Sequence, residues 1–227
     1  LWEKSKFMGV EITNKTLGVI GCGNIGSIVI DRAKGLKMKV IGFDPYLTES
    51  RADTLGIEKV ELKEIFKRSD FITVHMPMTE ETRGMINMNT FVKMKPSVRL
   101  LNCARGGIIN ENDLFKALKE GLIAGAALDV YESEPLEKNS VLRKAPNLIL
   151  TPHLGASTKE AQDNVGLEVA QGITDYLVHG SLMNSINMPS LDAQTSTKVQ
   201  PYLKLGEKLG MLLAKLGQVG TERLVIT

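Results

Sequence analysis

Residues 16–44 leave the chain little freedom: an apolar run, a glycine-spaced turn, a helical pattern, a second apolar run and an acid follow without interruption. Residues 17–20 suit a buried parallel strand, and Gly21-Cys22-Gly23-Asn24-Ile25-Gly26 after them has the form G-x-G-x-x-G. Ile28, Val29, Ala33 and Leu36 then recur at helical spacing. Residues 39–43 form a second strand pattern that ends in Asp44. Each part has a physical role. Gly21 allows the tight turn, Gly23 lets backbone approach a pyrophosphate, and Gly26 lets helix pack closely on strand. Asn24 and Ile25 lie where free helix N-terminal amides and the macrodipole favour an anion. Asp44 can accept hydrogen bonds from ribose hydroxyls and would repel an added phosphate, so the unit predicts NAD rather than NADP.

The balance of charge limits the partners. Lys and Arg number 28 against 26 Asp and Glu, a net charge of +2. With no basic block, nothing points to nucleic acid or an anionic membrane surface. No apolar run reaches membrane-span length and no signal pattern opens the chain, so a cytoplasmic setting is expected. The two cysteines, Cys22 and Cys103, lack metal-ligand spacing and are expected to be small buried residues, with no disulfide and no metal.

Beyond Asp44 the pattern continues as strands and helices in alternation. Strands are expected over residues 71–76, 98–103, 124–130 and 147–151. Helical patterns occupy parts of 47–67, 87–95 and the stretch through Leu114 and Leu118, capped by Asn110 or Asn112 and closed by Gly121. Ser157 with Glu160 forms a capping box for a long helix to His179, ended by Gly180. Residues 181–196 read as a linker, 202–216 as a leucine-rich helix and 223–226 as the start of a strand. The fold class is therefore α/β, a Rossmann-type doubly wound parallel sheet with helices on both faces. In such sheets ligands lie beyond the carboxyl ends of the strands. Asp44, His75, Asn102, Arg105, Asp129 and His153 each follow or end a strand.

Three histidines are present. His153, between Pro152 and a turn that opens a helix, is best placed to act as an acid–base imidazole titrating near neutral pH. His75 lies where the cofactor is flanked, and His179 complements a helix dipole. An imidazole needs an orienting carboxylate; spacing alone leaves Asp129, Glu132 and Glu134 as alternatives. Arg105, between Ala104 and Gly106-Gly107, offers a planar fork for a substrate carboxylate.

Gly21 to Gly26, Asn102-Cys103-Ala104-Arg105-Gly106-Gly107, Ala127-Leu128-Asp129-Val130, Glu134-Pro135 and the string from Pro152 to Ala161 together resemble the D-isomer-specific 2-hydroxyacid dehydrogenases. The resemblance covers residues 2–177. It implies an enzyme in which Arg105 binds the carboxylate and keto oxygen of a small 2-hydroxy acid, Glu134 pairs with the histidine, and His153 is the acid–base. It implies NAD contacts at Gly21, Gly23, Asn24, Ile25, Gly26, Asp44, His75, Met76, Cys103, Ala104, Arg105, Asp129, His153, Gly155 and Ala156. Many relatives carry threonine where Met76 stands, so a backbone contact is expected there.

The resemblance also implies a domain plan. Residues 1–10 would end a linker helix, with Trp2 and Phe7 as packing anchors. Residues 11–156 would form the NAD-binding domain, 157–187 would return to a substrate domain, and 188–227 would begin a further domain. Most of the substrate domain would lie outside this chain, so the pocket would lack one wall. Relatives associate as homodimers or homotetramers, for which residues 76–89 and 135–145 are candidate contacts. A non-catalytic, NAD-sensing corepressor of the same family is the competing reading.

Overall fold

The computed structural model describes residues 8–181 and 193–216. It divides into two compact units, Leu1–Ala156 and Ser157–Thr227. The first is built on seven strands: β1 (Thr16–Ile20), β2 (Lys39–Phe43), β3 (Glu58–Lys59), β4 (Phe71–Val74), β5 (Arg99–Asn102), β6 (Gly125–Leu128) and β7 (Leu148–Leu150). All neighbours pair in parallel, in the order β3-β2-β1-β4-β5-β6-β7. The order reverses between β1 and β4, the switch point where doubly wound sheets open a ligand crevice.

Helices cover both faces because strand side chains alternate. Leu17 and Val19 point into one apolar layer with Ile30 and Ala33 of α1 (Asn24–Gly35) and Ala52 of α2 (Glu49–Leu55). Ile20, Ile72, Val74, Leu100 and Leu128 belong to the other, with residues of α3 (Leu62–Arg68), α4 (Met88–Phe91) and α5 (Glu111–Lys119). Strand β3 had no sequence signal. It is two exposed polar residues held by pairing with β2.

Register matters most for function. Ile20 is paired with both Phe43 and Val74, Val74 with Asn102, Asn102 with Leu128, and Leu128 with Leu150. Six strands thus end on one row. The residues just past that row, Asp44, His75, Arg105, Asp129 and His153, emerge along one rim.

Several local expectations are corrected. The helix expected over 87–95 is regular only at Met88–Phe91, where Asn87 and Thr90 form a capping box. In the second unit α6 (Lys159–His179) is capped by Thr158, whose side chain accepts from the Ala161 amide. The cap is therefore one residue later than Ser157. Gly180 ends α6 in the left-handed conformation. Helix α7 (Ala193–Leu216) begins inside the expected linker and continues through Pro201. Met8, Gly9 and Val10 have no regular structure, and Cys103 is exposed because β5 ends one residue before it. Trp2, Phe7 and the strand expected at 223–226 lie outside the described residues.

At the opposite end of the sheet from the rim, Asp70 accepts from the Thr16 amide at 2.8 Å and from Lys95 Nζ at 2.9 Å. Burial opposes its ionisation, but the Thr16 bond and Lys95 outweigh it and hold the carboxyl below its ordinary range. A depressed folded pKa stabilises above the unfolded value of about 3.9 and loses that contribution as pH falls through the folded pKa. Asp70→Asn should therefore cost on the order of 1–3 kcal/mol at pH 7. The deficit should shrink below about pH 4, as urea unfolding at both pH values would measure.

Candidate active site

The glycine turn is built from contacts that exclude side chains. Gly21 has φ +95°, and a Cβ there would lie 2.7 Å from the His75 carbonyl. A Cβ on Gly26 would overlap the Gly21 carbonyl oxygen, so α1 sits directly against the end of β1. Above Gly23 there is open space: a Cβ at that position would meet nothing within 4 Å. Gly23 caps α1 without a side-chain hydrogen bond, and the first turn holds no acid. Four helix amides normally seek a partner, and here the end is left positive and accessible. The turn therefore fits the pyrophosphate of a dinucleotide.

Asp44 lies beside this turn. Its Oδ2 accepts from the Cys22 amide at 2.9 Å and its Oδ1 from the Tyr46 amide at 2.8 Å. Each oxygen keeps acceptor capacity for a ribose hydroxyl. Burial, then the nearby Asp44 charge, pushes the Cys22 thiol up to about 12, so it is an inert packing group. His75 Nε2 bonds Thr73 Oγ1 at 3.0 Å, and burial lowers its pKa. Burial thus favours its neutral form.

At the end of β5, buried Asn102 braces the next turn: Nδ2 donates to the Arg105 carbonyl at 2.9 Å and Oδ1 accepts from the Ala104 amide at 3.0 Å. Arg105 emerges exposed, its Nη1 donating to the Ala104 carbonyl at 2.7 Å. Among the described residues its guanidinium forms no ion pair, which leaves a fork free for an anion. Gly106 presses on the next loop, since a Cβ there would overlap the Tyr131 carbonyl oxygen.

That loop carries Glu134. Its Oε1 accepts from the Tyr131 amide at 3.0 Å, and its Oε2 meets His153 Nδ1 at 2.7 Å. Of the three carboxylates that spacing left open, this one meets the imidazole. The His153 bond, then the Tyr131 amide, hold Glu134 below the ordinary carboxylate range. An ionised carboxylate only accepts, so Nδ1 donates to it, and the contact selects the tautomer of the neutral ring whose lone pair is on Nε2. His153 stands at φ +54°, a left-handed conformation unusual for a non-glycine residue.

Asp129, 5% exposed, accepts from Thr151 Oγ1 at 2.5 Å, the Leu154 amide at 2.7 Å and the Gly155 amide at 2.8 Å. Burial opposes its charge, but these bonds and nearby His153 prevail and keep its pKa low. Three of about four acceptor directions are filled, so one remains for a carboxamide. Burial, then Asp129, raises the Cys103 thiol. Met76 packs against the turn, its Cγ 2.9 Å from a Cβ placed on Gly21. A cavity of roughly 610 Å³ is lined by Glu134, Leu136, Arg143, Thr151 and His153, among others. Arg105 is not one of its walls.

Sequence reasoning missed Thr151 and Tyr131 and saw Asn102 only as a polar strand end. Tyr131 OH donates to the Thr151 carbonyl at 2.7 Å, with the Leu128 carbonyl 3.2 Å away. The local signal was a polar residue directly before Pro152-His153, but Tyr131 and Asp129, which it bonds, are 20 and 22 positions away. No cluster of metal-ligating residues occurs among the described residues, and none of their helices is long and apolar enough to cross a membrane.

Comparison with known proteins fits this geometry. The profile of the family described as D-isomer specific 2-hydroxyacid dehydrogenase, NAD binding domain, matches residues 1–155. The D-3-phosphoglycerate dehydrogenase of Synechocystis is 47% identical over 225 residues, which is 99% of this chain and 40% of that protein. The chain therefore spans about two fifths of the length of that relative. A D-isomer specific 2-hydroxyacid dehydrogenase from Lactobacillus delbrueckii, solved in its NAD complexed form, superposes with a TM-score of 0.70 at 29% identity, covering 82% of this chain and 59% of that one. A glyoxylate reductase from Paecilomyes thermophila gives 0.72 at 32% identity, covering 79% and 54%.

Because Gly106 packs against Tyr131, the Arg105 and Glu134 loops should move together. Gly106→Ala is expected to cost roughly 1–3 kcal/mol and to disturb the His153–Glu134 bond. Urea unfolding and histidine side-chain NMR measure the two effects; an unchanged histidine spectrum would show that the loops are independent.

Proposed function

The chain belongs to the D-isomer specific 2-hydroxyacid dehydrogenases, and on that premise we propose that it serves the NAD-dependent oxidation of D-3-phosphoglycerate to 3-phosphohydroxypyruvate, the first step of L-serine biosynthesis. The observation that carries the reading is the 2.7 Å Glu134–His153 bond on the same rim as an Arg105 guanidinium that pairs with no acid among the described residues. The similarity to D-3-phosphoglycerate dehydrogenases supports the substrate.

In this mechanism Arg105 binds the substrate carboxylate and the oxygen of the forming carbonyl, and in the reverse direction polarises that carbonyl toward hydride attack. Nε2 of His153 takes the hydroxyl proton as the hydride leaves that carbon. Bound NAD supplies the hydride acceptor at C4 of its nicotinamide. Glu134 steadies the resulting imidazolium and keeps the ring in the tautomer that can accept again. For the cofactor, the amides of Asn24 and Ile25 beside Gly21, Gly23 and Gly26 would hold the pyrophosphate, and Asp44 the adenosine ribose. His75, Met76, Cys103 and Ala104 would flank the ring system. Asp129, Gly155 and Ala156 would meet the nicotinamide end. A cytoplasmic homodimer or homotetramer belongs to the same proposal.

Glyoxylate or hydroxypyruvate reduction is the second reading, favoured by the structural likeness to a glyoxylate reductase; D-lactate dehydrogenase activity is a further variant of it. Comparing turnover of phosphohydroxypyruvate and glyoxylate by the full-length protein separates them. His153→Ala should lower kcat by about 10²–10⁴-fold while NADH affinity, read by fluorescence titration, changes little. Retained turnover would sink the assignment. Asp44→Ala should weaken NADH binding by about tenfold, the loss of one charge-assisted hydrogen-bond partner. It should also narrow the preference over NADPH, as the same titration would show.

A further inference from the structure

We propose that Thr151 is a positioning residue for the acid–base histidine: through Asp129 its hydroxyl fixes the turn on which His153 stands. The inference rests on the reading of His153 as the acid–base group. It begins from an unusual backbone. His153 adopts φ +54°, and such a conformation in a non-glycine residue persists only where its surroundings over-determine it.

The surroundings do so from both sides. Upstream, the Thr151 amide donates to the Leu128 carbonyl at 3.0 Å, and the Thr151 carbonyl accepts from the His153 amide at 3.1 Å and from Tyr131 OH at 2.7 Å. Downstream, the Leu154 and Gly155 amides both donate to Asp129. The Thr151 hydroxyl joins the halves, since it donates to the same Asp129 oxygen, Oδ1, that holds the Leu154 amide. One buried carboxylate therefore grips the chain two residues before His153 and one and two residues after it. Glu134 orients the ring, whereas the Asp129 grip orients the backbone that carries it. A hydroxyl lost from Thr151 would leave a buried carboxylate oxygen with one donor fewer and remove the side-chain link between the two halves of the turn.

The experiment compares Thr151→Val, which keeps the shape and removes the hydroxyl, with Thr151→Ser, which keeps the hydroxyl. Three readouts are taken on the protein: kcat and KM, NADH affinity by fluorescence, and the 15N shifts of the His153 ring. Thr151→Val should reduce kcat by roughly 10–100-fold, the scale of a misplaced catalytic group, with a smaller change in KM. The ring shifts should move toward those of an unconstrained mixture of tautomers. Thr151→Ser should restore both. Unchanged kcat and ring shifts in Thr151→Val would overturn the proposal. So would equal damage in Thr151→Ser, which would mark a packing role, or a loss confined to NADH affinity, which would assign Thr151 to the cofactor contact. If Thr151→Val does not fold, Thr151→Ala gives the same readouts. Failure of the acid–base reading is distinguishable: it shows as retained turnover in His153→Ala, whereas the ring shifts test positioning whatever the histidine does.

Discussion

Parallel pairing in one register is the constraint on which the rest of the structure depends. Because Phe43, Ile20, Val74, Asn102, Leu128 and Leu150 are successive partners in the sheet, the residues just beyond them leave the sheet at one level. Neighbouring strands are about 4.8 Å apart, so the ends of β5 and β7, with β6 between them, lie roughly 10 Å from each other. A slip of one residue in any strand would turn its side chains to the other face and take its rim residue out of level.

Close backbone contact then does what side chains cannot. The overlap that a Cβ on Gly26 would make with the Gly21 carbonyl keeps α1 against β1 and aims its amides outward. The corresponding overlap between Gly106 and the Tyr131 carbonyl brings the turn bearing Arg105 against the loop bearing Glu134. Tyr131 in turn donates its amide to Glu134 and its hydroxyl to Thr151. The three polar ends of β5, β6 and β7 are thus linked through Tyr131, by its backbone to Gly106 and Glu134 and by its hydroxyl to Thr151.

The rim gathers several departures from ordinary rules of stability, although Asn14, Lys37 and Asn147 also stand at positive φ elsewhere. Helix α1 lacks a side-chain cap, Arg105 lacks an ion pair among the described residues, and His153 stands in a left-handed conformation. Elsewhere in the first unit the helices α2, α4 and α5 carry capping side chains at Thr48, Asn87 and Asn110, whereas α3, like α1, has none. At the rim such departures fall together on residues that a ligand could complete. The compensation is nearby: the burial of Asp129 is offset by three donors, and the unpaired helix end lies above a closely packed glycine turn.

Residues alone determined the alternation of strands and helices, the glycine turn with its acid, and the place of His153 just past a strand end, because each of these depends on neighbours within a few positions. Periodicity and turn chemistry are local properties. They failed where a local rule met a longer-range one. Thr158 rather than Ser157 caps α6, Pro201 lies inside α7, and β3 exists only through its pairing with β2. Which carboxylate meets the imidazole, why Arg105 finds no acid among the described residues, and that Thr151 and Asp129 grip the histidine turn were decided by tertiary structure. Those bonds join residues 19 and 22 positions apart on different strand ends, and only the shared register of the sheet brings such ends together.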